Sequence, residues 1–118
     1  MNLSTDRLPD WLIDFLNTLN NPALFQTRIE DLSKFTYYTH THLCFLFKKH
    51  MGVTLHHYFT QLKMNHAAFL LRTSKQSISY IAQQVGFENQ GHFAILFKKQ
   101  FFDSPTTYRK KNKVDLSK

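Results

Sequence analysis

Phe93-Ala94-Ile95-Leu96-Phe97-Lys98-Lys99 repeats, in altered spelling, Leu43-Cys44-Phe45-Leu46-Phe47-Lys48-Lys49. Apolar residues answer apolar ones at a constant offset of 50, and both stretches end in Leu-Phe-Lys-Lys. Upstream, Ile29 and Leu32 answer Ile78 and Ile81 at an offset of 49. The second copy therefore has a turn one residue longer, with Gly86-Phe87 where the first has Tyr37-Tyr38. In the first stretch Leu43, Leu46 and Phe47 fall at i, i+3 and i+4, the inner stripe of a helix. Each copy thus reads as a short helix, a tight turn and a second helix, and a repeated unit is a stronger signal than a single one.

Working outward, helical spacing recurs and strand-like alternation is nearly absent, so the fold is expected to be all-α. A first helix is expected over Asp10–Leu19, with Trp11, Leu12, Phe15, Leu16 and Leu19 on one stripe and Asn20, Asn21 and Pro22 ending it. A second, short helix falls near Ile29–Phe35. Thr39 is placed to cap a third over His40–His50, stopped by Gly52. Thr54 caps a fourth over Leu55–Arg72, roughly 27 Å long at 1.5 Å per residue, with Leu55, Tyr58, Phe59 and Leu62 along one face. Ser77 opens a fifth over Ile78–Val85, and Gln90–Phe101 forms a sixth. Ser104 with Pro105 opens a seventh toward Arg109, and Lys110–Lys118 is polar and expected to fray. The expected organisation is two helix-turn-helix subdomains joined by a long linker helix, about seven helices in all. Its segments are an N-terminal helix (1–24), a first helix-turn-helix (25–53), the linker helix (54–73), and a second helix-turn-helix with a basic tail (74–118).

The chain of 118 residues is 42% hydrophobic and carries 12 Phe, enough for a core without disulfide or metal. Its one cysteine, Cys44, fits a reducing cytosol. Asp6, Asp10 and Asp14 interrupt any signal-peptide core, and no stretch approaches the roughly 20 apolar residues of a membrane span. A cytoplasmic location is expected. Charge is unevenly placed. Residues 1–31 hold two basic residues against five acidic ones, net −3, while residues 32–118 hold 13 against three, net +10. Such concentration suits a polyanion such as the DNA backbone.

In a helix-turn-helix the second helix enters the major groove. The pattern Thr39-x-x-x-Leu43-x-x-Leu46-Phe47-Lys48-Lys49-x-x-Gly52, then Tyr58, then Ala67-x-x-Leu70-Leu71 supports that reading. So does Ile81-Ala82-x-x-Val85-Gly86-Phe87-x-x-Gln90-x-x-Phe93-x-x-x-Phe97-Lys98-Lys99, followed by Ser104-Pro105-x-x-Tyr108-Arg109. From about Leu32 to Arg109 the chain resembles the C-terminal DNA-binding domain of the AraC/XylS family of bacterial transcription regulators. The resemblance implies sequence-specific binding of double-stranded DNA through two reading helices in successive major grooves. It also implies regulation by recruiting or blocking RNA polymerase, and a sensor domain outside this sequence. The acidic first helix, which lies outside the repeat, is expected to face that sensor.

Base-reading positions are expected on the faces turned away from the apolar stripes. They are His40, Thr41, Cys44 and Phe45 in the first unit, and Asn89, Gln90, His92 and Ile95 in the second. Asn and Gln pair bidentately with adenine, and Gln90 is the leading candidate. Regulators of this type often place arginine where Phe45 and Ile95 stand. Two apolar residues there contact thymine methyls, pack against neighbours, or go unused. Thr39, Lys48, Lys49, Lys98, Lys99 and Arg109 are expected to meet phosphates, with Lys110, Lys111 and Lys113 adding diffuse attraction. The main alternative is a protein-interaction module docking through an apolar patch around Phe45 and Ile95, with lysines at its rim. No catalytic residues are expected, because five of the eight acids precede residue 32 and no glycine-rich phosphate loop exists. No cofactor is implied. Neither His40 with His42 nor His56-His57 has the i, i+4 spacing of a helical zinc site, so no metal is expected.

Overall fold

The computed structural model describes residues 7–113. Among them the chain forms six α-helices: α1 (Asp10–Leu19), α2 (His40–Met51), α3 (Leu55–Thr73), α4 (Ile78–Gln84), α5 (Gln90–Phe101) and α6 (Pro105–Asn112). Two 3-10 segments, Pro22–Leu24 and Ile29–Phe35, lie between α1 and α2. The expected short second helix is therefore a 3-10 segment, tighter than an α-helix. Polar side chains start most of the helices. Oγ of Thr39, Thr54, Ser77 and Ser104 accepts from the backbone N–H three residues on, at 3.0–3.2 Å. α6 runs to Asn112, past the point where fraying was expected to begin. The tail beyond residue 113 lies outside the described residues.

Two compact units divide the chain, Met1–Phe59 and Thr60–Lys118, with the boundary inside α3. Along α3, Leu55 and Phe59 are buried in the first unit and Met64, Ala67, Ala68 and Leu71 in the second. Leu12, Phe15 and Leu19 are buried, and the Phe15 ring meets Phe47 of α2 edge-on at 6.3 Å between centroids. Phe25 packs likewise on Phe59 at 5.8 Å. α1 stands outside the repeat but inside the core of its unit.

In the second unit Phe93 and Phe97 of α5 are fully buried. Phe97 stacks on Phe101 at 4.6 Å and meets Tyr108 of α6 edge-on at 5.2 Å. The repeat holds at the level of burial. Leu32 answers Ile81, Leu43 answers Phe93 and Phe47 answers Phe97, all without exposed surface.

The two turns close by different means. After α4, Gly86 takes φ +88°, donating to the Gln83 carbonyl at 3.0 Å while Phe87 donates to Ala82 at 2.9 Å. That pair of bonds is a Schellman cap, which favours glycine at the left-handed position. The first unit has no glycine there. Thr36 Oγ1 donates to the Ser33 carbonyl at 2.8 Å and accepts from the Tyr38 N–H at 3.1 Å, so a hydroxyl closes the corner.

Candidate nucleic-acid interface

Each turn delivers an aromatic ring against a histidine on the following helix. In the first unit Trp11 meets Tyr38 at 4.9 Å, and Tyr38 meets His42 at 5.0 Å, both edge-on. In the second, Lys63 Nζ lies 5.7 Å over the Phe87 ring, which meets His92 edge-on at 5.6 Å. Burial lowers the Lys63 pKa, because the covered ammonium loses solvating water. His42 and His92 are exposed equivalents 50 positions apart, each with its backbone N–H held by the cap side chain of Thr39 or Asn89. His42 is thus the first unit's counterpart of the expected base reader His92.

The other expected base-reading residues divide by environment. Thr41, Phe45, Gln90 and Ile95 lie exposed on α2 or α5. His40 is half-buried, with ring nitrogens 3.6 and 3.8 Å from the Cys44 sulfur. Cys44 is half-buried too rather than outward, and burial pushes its thiol pKa up. It is thus a packed side chain with little thiolate character. Asn89 is the N-cap of α5, its Oδ1 accepting from His92 N–H at 3.0 Å. That bond holds the first turn of α5. The next residue but one is Gly91, where a Cβ would stand 3.1 Å from that same Oδ1. A glycine there accommodates the asparagine cap.

Among the expected phosphate ligands, Lys48, Lys49, Lys98 and Lys99 are exposed in the last turns of α2 and α5. Neither helix contains an acidic residue, and among the described residues no carboxylate pairs with these four lysines. Thr39 accepts from His42 N–H as the cap of α2, leaving its hydroxyl proton to donate elsewhere. Arg109 has other work. It is half-buried, Nε donating to the Leu71 carbonyl at 3.0 Å and Nη2 to Ser74 at 3.2 Å. Beside it Arg72 Nη1 donates to the Tyr108 hydroxyl at 2.9 Å. Arg109 satisfies carbonyls at the C-terminal end of α3 and ties α6 to it.

The resulting faces are matched. On α2 the outward stripe is Thr41, Phe45 and Lys48; on α5 it is Gly91, Ile95 and Lys98, flanked by Lys49 and Lys99. Among the described residues no group of three or more His, Cys, Asp or Glu could hold a metal ion, and no helix is long and apolar enough to cross a membrane.

Comparison with known proteins agrees with this geometry. A family described as "Helix-turn-helix domain" matches residues 32–111. The lactose operon transcription activator of Staphylococcus xylosus is 36% identical over 97 residues, 82% of this chain and 34% of that protein. The transcriptional activator RhaR of Klebsiella pneumoniae is 34% identical over 68 residues, 58% of this chain and 24% of that protein. The chain thus spans about a quarter to a third of the length of these relatives. Among solved structures, the C-terminal domain of the response regulator AraT from Geobacillus stearothermophilus superposes with TM-score 0.83 at 25% identity, covering 95% of this chain and 93% of that one. The DNA-binding domain of AdpA, solved in complex with a target DNA, gives 0.77 at 23% identity over 87% of this chain and 93% of that one, a likeness of fold. The chain belongs to the AraC/XylS-type helix-turn-helix family of DNA-binding transcription regulators.

Proposed function

We propose that this chain reads double-stranded DNA by sequence, with α2 and α5 entering successive major grooves. The observation that carries the reading is the matched, acid-free outward stripe of the two helices, each ending in an unpaired Lys-Lys. Lysines that neutralise phosphates release counterions and position the helix, while the residues between them meet base edges. Thr41, His42, Phe45, Gln90, His92 and Ile95 form the base-facing set, and Thr39, Lys48, Lys49, Lys98 and Lys99 the phosphate set. Asn89, Cys44 and His40 shape the helix starts behind them. The domain does no catalysis. It is the DNA-reading part of a longer cytoplasmic regulator that carries a sensor and acts through RNA polymerase.

Selection of bound duplexes from a random library at roughly physiological salt tests this reading. Two short enriched blocks about one helical turn apart are the expected result. Lys48→Glu with Lys98→Glu should abolish retention of any duplex. Retention unchanged in that double variant, or absence of binding by the parent chain even at low salt, would instead favour docking of a protein partner on Phe45 and Ile95.

A further inference from the structure

We infer that Phe45 and Ile95 are specificity residues that each read the 5-methyl group of a pyrimidine in the major groove, one per reading helix. The inference deepens the DNA-reading proposal and rests on it. Both side chains stand in the open, 64% and 63% exposed, on helices whose other large apolar residues are buried or half-buried. They are equivalent in the repeat and equally exposed, so the same arrangement occurs twice. Their surroundings match as well: a small residue, Thr41 or Gly91, four positions earlier, and a lysine three and four positions later.

A side chain of carbon and hydrogen alone can neither donate to nor accept from a base edge. The one apolar group that the four base pairs present in the major groove is the C5-methyl of thymine. Charge decides between DNA and a protein as occupant. Each apolar side chain has a small residue one turn before it and two lysines unpaired by any carboxylate one turn after it, on a helix without an acid. A single hydrophobic residue beside paired cations suits a methyl group set beside phosphates. It does not make the contiguous apolar patch that a protein interface of ordinary size requires. By the same chemistry a cytosine carrying a 5-methyl group presents an equivalent contact.

The test begins with a duplex selected by the parent chain. Each thymidine in its two blocks is replaced singly by 2′-deoxyuridine, which keeps the hydrogen-bonding edge and deletes the methyl. Burial of one methyl corresponds to about a four-fold change in affinity. One position in each block is therefore expected to lose about four-fold on the uridine change. Phe45→Ala should erase that loss in one block and Ile95→Ala in the other, each leaving the second block's discrimination intact. Both residues are exposed, so both variants are expected to keep the parent circular dichroism spectrum. Equal binding of thymidine and uridine duplexes at every position, with the selected duplex still bound, overturns methyl reading and leaves the DNA-reading proposal standing. A uridine penalty that persists in both alanine variants also overturns it. Failure to select any duplex removes both proposals together.

Discussion

Phe102 occupies a backbone conformation that the repeat assigns to glycine. α2 ends on Gly52 at φ +77°, its N–H donating to the Lys48 carbonyl at 2.9 Å. Fifty residues later α5 ends on Phe102 at φ +70°, its N–H donating to Lys98 at 2.7 Å. Left-handed backbone costs an L-residue about 1–2 kcal/mol. Replacing Phe102 by glycine removes that strain but returns about 0.5–1 kcal/mol to the unfolded chain as backbone freedom. The ring is 83% exposed, so little packing is lost with it. Phe102→Gly should therefore stabilise the domain by about 0.5–1 kcal/mol, raising Tm by roughly 2–5 °C for a chain of this size. Gly52→Ala is the converse test. Nothing lies within 4 Å of a Cβ built there, so only the φ penalty acts, and it should cost about 1 kcal/mol. Urea and thermal unfolding followed by far-UV circular dichroism measure both changes. The single Trp, Trp11, belongs to the other unit from Phe102, so its fluorescence is the wrong probe for that variant. A Phe102→Gly variant less stable than the parent, or a Gly52→Ala variant of unchanged stability, would refute the reasoning.

Phe15→Ala should cost about 3–5 kcal/mol, because the ring is buried against Phe47, and loss of the Trp11 fluorescence transition to lower urea would register it. On a selected duplex, Lys98→Gln should flatten the dependence of log K on log salt by about 0.9, as expected for one lost phosphate contact. Arg109→Gln should leave that slope unchanged and instead lower the unfolding midpoint, since it breaks charge-assisted bonds worth about 1.5–3 kcal/mol each to the Leu71 and Ser74 carbonyls. Burial lowers the His66 pKa below its ordinary value, so the unfolded chain binds the proton more readily and stability should rise with pH up through about 6.5. His66→Gln should remove part of that rise in unfolding midpoints measured across the window.

Much of the fold was legible because its signals are local. α1 and α5 begin and end where the apolar stripes and flanking polar residues place them, and the hydroxyl caps at Thr39, Thr54, Ser77 and Ser104 all form as expected. The apolar repeat located the core of both units and, on the opposite faces, Phe45, Ile95 and the two lysine pairs. Features that depend on distant partners were not legible. The 3-10 geometry of Ile29–Phe35 is set by a turn closed through the Thr36 hydroxyl, which no apolar spacing records. Arg109 looks like a surface cation until the carbonyls 35 and 38 residues earlier are brought beside it. Asn89 carries the chemistry of a base reader and the position of a cap, and its Oδ1 bond is made at the start of the helix itself. The apolar stripe of α1 was legible from spacing, but its partner Phe47 on α2 was not.

α3 is one hydrogen-bonded helix whose beginning belongs to one unit and whose remainder belongs to the other. Starting a helix is the slow and unfavourable step, while adding residues to an existing one is easy. A single nucleus, formed anywhere between Leu55 and Thr73, therefore serves both halves of the chain. Whichever unit orders first presents the other with a helix end already started, so the second has only to extend it and condense its own aromatic residues. Folding of the two units is thereby linked in time, with the amides around Thr60 expected to be the slowest to exchange with solvent.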